Sequence, residues 1–302
     1  LNYSKLDELL GIYMGPNDLL DQVGRQLSYS AWDVDLQKKE LAVKGFTSIE
    51  SDQADYVRLL QTYGNAKPHF HQVLSDQTAM LQSIHLQNAE SFYYSLQEFR
   101  KNNAEDVSSY NALKAQLEGF LKLSLEDDLL SWAGGELFVA QLSDPELPMV
   151  AGIHTRDLKL AKKKLKLIQE QLRKRSPAKF KRMEHDGHEI IYLELKGWFR
   201  LFFGGQFKNM DRPYYTILGD HVLFSTDAAS LKVCIEDYKA DRVLANDKFF
   251  KKELSNQPKQ FCLFSFARGP ASMDILQNLS TSSLKKDEAY IRYFKQVMLS
   301  FS

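Results

Sequence analysis

The spacing of apolar residues along the chain predicts both helices and strands. In residues 155–175 the apolar side chains recur at steps of three and four, which predicts an amphipathic helix with one buried stripe. That stripe consists of Leu158, Ala161, Leu165, Ile168 and Leu172. Capping residues and apolar spacing predict further helices over residues 3–26, 51–63, 88–123 and 228–239, with a short helix at Phe249 and Phe250.

Runs in which apolar and polar residues alternate predict strands joined mainly as hairpins. The dipeptides Asp186-Gly187 and Gly219-Asp220 are typical of tight turns, and each lies between two such runs. A third hairpin is predicted around the polar residues 37–40. Other predicted strands cover residues 79–86, 137–142, 148–154, 260–267 and 296–302. The pattern therefore predicts an α+β fold in which mixed, mainly antiparallel sheets pack against helices.

The order of the predicted elements suggests two related halves. A hairpin, a helix, a connector, a strand and a helix follow residue 31, and the same order follows residue 213. We therefore predict halves of residues 1–125 and 126–302 that derive from a duplicated unit. The alternatives are chance similarity between common motifs and one continuous domain.

The charge of the chain is balanced overall but unevenly distributed. The 302 residues contain 39 basic and 39 acidic side chains, which excludes a globally basic nucleic-acid binder. Residues 1–155 hold 11 basic and 22 acidic side chains, whereas residues 156–182 hold 12 basic and 2 acidic ones. A separate, strongly cationic segment therefore stands out.

This cationic segment is a candidate binding surface. Because the apolar stripe of its helix faces the core, the lysines between the stripe positions must face water. A face carrying Lys159, Lys162, Lys163 and Lys166 could bind an anionic partner such as lipid or nucleic acid. A solvated face without a partner, and docking onto the acidic first half, are the alternatives. No aromatic residue lies within residues 159–174, which argues against nucleic acid as the partner.

Two histidine pairs are candidates for metal binding. His185 and His188 flank the Asp-Gly turn, and His69 and His71 are spaced to share one face of a strand. Neither pair has a third ligand at a useful spacing, so we interpret both as non-metal residues and expect the first pair to be exposed at a turn.

The sequence gives little support for catalytic residues. The contiguous Glu126, Asp127 and Asp128 are typical of a solvated helical face or a cap, whereas acid–base catalysis needs a desolvated carboxylate. The Gly-Gly pairs lack the Gly-Lys-Ser/Thr ending of a phosphate loop, and no nucleophile elbow, HExxH or CxxC motif occurs. The sequence therefore predicts no enzyme, no catalytic residue, no metal site and no cofactor.

The cysteines and the chain ends bear on the cellular setting. Cys234 and Cys262 lie among apolar neighbours, which predicts buried free thiols, with a disulfide as the alternative in an exported protein. The chain starts at Leu1 without a methionine and stops within an alternating run. We interpret it as a fragment of a longer protein, preceded by a signal or a membrane anchor.

The segment 124–142 joins an acidic stretch to a tryptophan, two glycines and a strand. We predict that Trp132 places a helix end in the core and that Gly134 and Gly135 turn the chain sharply into the strand. Glu136 is expected to cap or pair locally. The segment is therefore interpreted as structural.

The run from Asp128 to Glu136 resembles the Asp-Leu-Leu, Trp, Gly, Glu signature of bacterial domain-of-unknown-function family 3352. Residues 221–250 are similar to that family's strand, Ser-rich helix start, helix and Leu-Ala…Phe connector. Ala133 departs from the larger apolar residue that is usual there. The resemblance implies an extracytoplasmic protein with an N-terminal signal or anchor, and it implies no catalytic residues.

The leading functional prediction is a non-enzymatic module of the bacterial envelope or periplasm that acts through protein or surface interactions. One alternative is a small-molecule or lipid-binding domain with a cleft between two sheets. The other is electrostatic binding of an anionic partner through residues 156–182. Membrane association through a preceding anchor is compatible with each of them.

Overall fold

The computed structural model describes residues 27–37, 40–49, 56–102, 107–124, 126–175, 181–193, 212–269, 271–272 and 296–302. Its helices are α1 (Tyr56–Tyr63), α2 (Ala89–Asn102), α3 (Val107–Leu121), α4 (Leu158–Arg175), α5 (Ala228–Lys239) and α6 (Lys248–Ser255). The helix predicted over residues 3–26 lies outside the described residues. None of the described helices has the length and apolar character needed to cross a membrane.

The strands form one large sheet and one separate hairpin. They are β1 (Leu27–Gln37), β2 (Glu40–Ile49), β3 (Thr78–His85), β4 (Ala133–Leu142), β5 (Val150–Thr155), β6 (Arg182–His185), β7 (His188–Tyr192), β8 (Tyr214–Leu218), β9 (His221–Ser225), β10 (Leu263–Ala267) and β11 (Val297–Phe301). Nine strands pair antiparallel in the order β11-β10-β3-β4-β5-β9-β8-β7-β6, and β1 pairs with β2. The predicted α+β fold with antiparallel sheets is therefore confirmed.

Local turn chemistry explains the two hairpins at one end of the large sheet. Asp186 and Gly187, between β6 and β7, have φ values of 50° and 78°, as the two central residues of a type I′ turn require. Gly219, between β8 and β9, has a φ of 51°. The Asp-Gly and Gly-Asp dipeptides thus form the predicted turns.

Both faces of the large sheet carry an apolar core. On one face the stripe of α4, including Leu165 and Ile168, packs with Trp132. On the other face α5 and α6 pack with Phe70 and Phe138. The sheet is therefore the middle layer between two sets of helices.

The large sheet is continuous across the predicted boundary at residues 125 and 126, because β3 lies between β10 and β4. The predicted internal repeat gains no support from the topology. The first hairpin, β1 and β2, pairs only within itself among the described strands, whereas β8 and β9 lie inside the large sheet.

The prediction that Gly134 and Gly135 turn the chain is wrong. Both glycines lie inside β4, and neither has a positive φ. A Cβ atom at Gly135 would lie 1.6 Å from the carbonyl oxygen of Leu86, and one at Gly134 would lie 2.7 Å from Nδ1 of His154. Glycine is required here because neighbouring chain segments approach closely, not because the chain turns.

The two cysteines are free and buried, as predicted. Burial, with the nearby Asp237 carboxylate, raises the pKa of Cys234 to about 12. This thiol therefore packs as a small apolar side chain at neutral pH.

Candidate functional site

The acidic run before Trp132 is engaged by neighbouring side chains. Residues Glu126–Leu130 form a π-helical turn, and the fully buried Trp132 donates its Nε1 hydrogen to the Asp128 carbonyl oxygen at 2.7 Å. The Asp128 carboxylate accepts hydrogen bonds from the Ser124 amide at 3.0 Å and from Lys164 Nζ at 2.5 Å. Asp128 thus ties this turn to α4.

Glu136 makes long-range contacts, so the prediction of a local cap or pair is wrong. Its side chain is 2% exposed, and its Oε1 lies 2.9 Å from Nε2 of His221. Its Oε2 accepts a hydrogen bond of 2.5 Å from the backbone amide of His69. Nδ1 of His85 lies 3.3 Å from the same oxygen, which is long for a hydrogen bond. Glu136 therefore joins three parts of the chain that are distant in sequence.

Strand register explains how these residues meet. His85 is directly opposite Glu136 on β3 and β4, and His154 is directly opposite His221 on β5 and β9. Because β3, β4, β5 and β9 are consecutive in an antiparallel sheet, the ends of β3 and β5 lie beside the starts of β4 and β9. All four residues therefore lie at one end of the sheet.

Two more histidines approach from a short connector. The prediction that His69 and His71 share a strand face is wrong, because they flank Phe70 at a 3₁₀ turn, Phe70–Gln72. The His69 ring stacks on the His154 ring with centroids 4.5 Å apart, and the His154 ring meets the His221 ring edge-on at 5.0 Å.

We define the histidine cluster as the group of imidazoles around Glu136. It comprises His69, His71, His85, His154 and His221. Five of the seven histidines of the chain are thus gathered in one place.

The electrostatics of the histidine cluster favour an ionised Glu136 near neutral His154 and His71 side chains. Burial alone would raise the pKa of Glu136, but contacts from His221 and His85 lower it below its ordinary value. Burial, together with His221 and His69, lowers the pKa of His154 to about 4. Burial also lowers the pKa of His71. At neutral pH, Glu136 is therefore ionised while His154 and His71 are neutral.

The order of groups Ser83, His85 and Glu136 matches that of a hydrolase triad, since Ser83 Oγ lies 2.8 Å from Nε2 of His85. Ser83 is only 4% exposed and His85 is fully buried, so this hydroxyl does not face solvent in the described structure. Among the described residues, no group of three or more His, Cys, Asp or Glu side chains is arranged to hold a metal ion. The described geometry favours a buried hydrogen-bonded network.

A second feature of the histidine cluster is unsatisfied hydrogen-bonding capacity. The buried Nδ1 atoms of His71 and His221 have no hydrogen-bond partner among the described residues. Buried polar atoms are usually paired, so these two nitrogens are exceptions within the described structure.

Sequence reasoning missed the cluster, although one signal was present. His85, His154 and His221 each occur at or next to the end of a strand. In an antiparallel sheet such positions meet only when the strands are neighbours, and strand order could not be read from the chain.

The predicted cationic surface lies on α4. Lys159, Lys162, Lys163 and Lys166 are all exposed and lie opposite the buried stripe. None of the four forms an ion pair with a described residue, whereas Lys164 pairs with Asp128, as noted above. Arg156 pairs with Glu90 at 3.6 Å. Part of the segment thus contacts the acidic region, and four lysines face solvent.

The histidine pair predicted at the Asp186-Gly187 turn lies at the tip of that hairpin. His185 and His188 are opposite each other across the Asp186-Gly187 turn. His185 Nε2 lies 2.7 Å from Oε1 of Glu236 on α5, and His188 Nδ1 lies 3.1 Å from the Ile217 carbonyl oxygen. Both rings are partly exposed, and β8 lies between their hairpin and His221 on β9.

Comparisons with protein-family models, with curated proteins and with solved structures found no match for this chain. The resemblance to family 3352 therefore stays a prediction based on two sequence blocks. A functional conclusion has to come from the geometry and the charge of the described residues.

Proposed function

We propose that this chain is a non-enzymatic, extracytoplasmic module of a bacterial envelope protein and that it binds an anionic lipid surface through α4. The supporting observation is the row of four exposed lysines that have no acidic partner among the described residues. The extracytoplasmic setting is taken from the resemblance of residues 128–136 and 221–250 to family 3352.

The arrangement of these lysines suits a broad surface. Lys159, Lys163 and Lys166 follow one another at steps of four and three, so they project from one side of the helix, with Lys162 beside them. Each lysine near an anionic membrane contributes about 1 kcal/mol, and a row of four therefore supports reversible binding. Lysine carries a compact charge without the planar fork of arginine, which favours a diffuse anionic surface over one oriented ligand.

The α4 helix can present this row without disturbing the core. Its opposite side is held by four buried residues, Ala161, Leu165, Ile168 and Leu172. The lysine stems can therefore bend toward a surface while the helix stays in place. Glu170 interrupts the basic residues of this side, and the last turn then adds the exposed Arg173, Lys174 and Arg175, so the helix stays cationic to its end.

The alternative of an inter-sheet cleft is less favoured by the architecture. Such a cleft needs two facing sheet layers. The described strands form one nine-stranded sheet, whose two faces pack against helices, and one separate two-stranded hairpin.

Vesicle sedimentation tests the proposal. The protein should bind vesicles that contain phosphatidylglycerol and should not bind pure phosphatidylcholine vesicles, with binding weakened by raising the salt concentration. Charge reversal by Lys162→Glu, Lys163→Glu and Lys166→Glu together should reduce binding by at least about tenfold.

A matched control is available on another helix. Lys248, Lys251 and Lys252 of α6 are also exposed, and their reversal to Glu changes the net charge by the same amount. The α6 variant should keep most of the binding. Equal losses in the two variants would assign the binding to net charge alone, and unchanged binding of the α4 variant would refute the proposal.

A further inference from the structure

A short strap crosses the Glu136 end of the sheet. We define the strap as residues 65–69, which lie between two firmly held positions. Gly64 bridges to Leu86, and its amide donates to the Leu60 carbonyl oxygen at 2.7 Å. At the other end Phe70 is fully buried and stacks on Phe264. The strap is therefore fixed at both ends by backbone pairing and by core packing.

Between these ends the strap is held weakly except at His69. The two hydrogen bonds between Ala66 and Phe261 are long, with N···O distances of 3.3 Å, and the Gln87 side chain reaches the Asn65 carbonyl oxygen only at 3.4 Å. In contrast, the His69 amide lies 2.5 Å from Glu136 Oε2. The attachment of the strap thus depends mainly on the ionised Glu136 and on the stack between the His69 and His154 rings.

Titratable groups approach this stack from several described elements. These groups are His69 on the strap, His71 in the 3₁₀ turn, His85 on β3, Glu136 on β4, His154 on β5, Asp220 in the β8–β9 turn and His221 on β9. Two carboxylates thus face five imidazoles. Cationic rings that accumulate at these distances would repel one another.

We propose that the histidine cluster is an acid-sensitive clasp, in which protonation of His154 and His71 releases residues 65–69 from the sheet while Gly64 and Phe70 hold the ends of the strap. The release replaces the contact between His69 and Glu136 by water on both groups. No covalent step is involved, and the inference does not depend on lipid binding by α4.

The direction of the pH effect follows from the closed geometry. With the strap in place, burial and the neighbouring imidazoles lower the pKa of His154 to about 4, and burial lowers that of His71. Hydration after release brings these pKa values back toward the ordinary value of about 6.5. Between pH 6.5 and pH 4 the released form therefore binds more protons than the closed form. The closed form is favoured above pH 6.5 and is progressively lost as the pH falls toward 4.

Spin labelling measures the release directly. A nitroxide attached through Lys67→Cys reports on the strap, and one attached through Lys251→Cys on α6 is a control, since both positions are exposed. The native thiols are buried. As the pH falls from 7.5 to 4, the label at position 67 should become reversibly more mobile, and the label at position 251 should stay unchanged.

Substitutions identify the responsible rings. His154→Gln removes a proton-binding group, so the mobile fraction of the strap label at pH 5 should fall to about half of the unsubstituted value or less. His71→Gln should act in the same direction and replaces this test if His154→Gln does not fold. His185→Gln, at the hairpin tip, should leave the pH profile unchanged.

The clasp is refuted if the label at position 67 stays immobile down to pH 4 or is already mobile at pH 7.5. Simultaneous loosening at positions 67 and 251 would also overturn it, because that result means global unfolding. An unaltered pH profile in a folded His154→Gln or His71→Gln protein would do the same.

Discussion

Two histidine–glutamate pairs in this protein have almost the same contact distance but very different surroundings. In the histidine cluster, His221 lies 2.9 Å from Glu136, and the two side chains are 1% and 2% exposed. At the β6–β7 hairpin, His185 lies 2.7 Å from Glu236, and these side chains are 26% and 50% exposed. Removing one partner of a buried pair leaves a group without water, whereas an exposed group is simply rehydrated.

The difference shows that the distance alone does not decide the energetic role of a pair. Glu136 also accepts the His69 amide and lies beside His85, so several chain segments depend on its charge. Glu236 has a single imidazole contact at the surface of α5. We therefore expect the stability of the fold to depend far more on the pair of His221 and Glu136 than on the pair of His185 and Glu236.

The largest effect is expected from Glu136→Ala. It should lower the free energy of unfolding by about 3–5 kcal/mol, because it leaves buried imidazoles without their acceptor. Glu236→Ala should change it by about 1 kcal/mol or less. Urea unfolding at pH 7 measures both values. Glu136→Gln is the control, because it removes the charge of the side chain and keeps its volume. Similar losses of unfolding free energy for Glu136→Ala and Glu236→Ala would show that the two pairs do not differ in energetic role.

A smaller loss of stability is expected from substituting the glycine next to each pair, Gly135 near Glu136 and Gly187 near His185. Gly135→Ala should cost about 3 kcal/mol, because its Cβ would lie 1.6 Å from the Leu86 carbonyl oxygen, and a backbone atom cannot move aside easily. Gly187→Ala meets no atom within 4 Å but has a φ of 78°, so it should cost about 1 kcal/mol. The same unfolding measurement ranks them, and the reverse order would contradict the close packing at β4.

The smallest effect is the pH dependence of stability. Between pH 6.5 and 4 the unfolded chain binds more protons at His154 and His71 than the folded chain does, so stability should fall as the pH is lowered. We expect a loss on the order of 1 kcal/mol, because solvent weakens the effect at the partly exposed His154. Glu136, whose pKa is lowered by folding, adds a further loss as the pH falls below its ordinary value.

Unfolding measured at several pH values checks this prediction. His154→Gln should flatten the decrease between pH 6.5 and 4, since glutamine does not titrate. His185→Gln should retain the decrease. A steeper decrease in His154→Gln would show that the imidazole stabilises the fold in acid, contrary to the expected sign.

Elements with local causes were predictable from the chain. The helix predicted over residues 228–239 coincides with α5, which Asp227 caps by accepting the Ala229 amide. The Asp-Gly turn formed because both of its residues adopt positive φ values. By contrast, the role of Gly134 and Gly135 was not predictable, since it depends on His154 of β5 and on Leu86, which follows β3.

Local sequence was enough to predict most of the described helices and strands, their apolar faces and the exposed lysines of α4. These follow from periodicity and turn chemistry, which act over a few residues. The meeting of His85, Glu136, His154 and His221 depends on long-range strand pairing, because strand order sets which strand ends are neighbours. Burial then gave these residues properties that no short pattern contains, since desolvation depends on everything packed around a side chain.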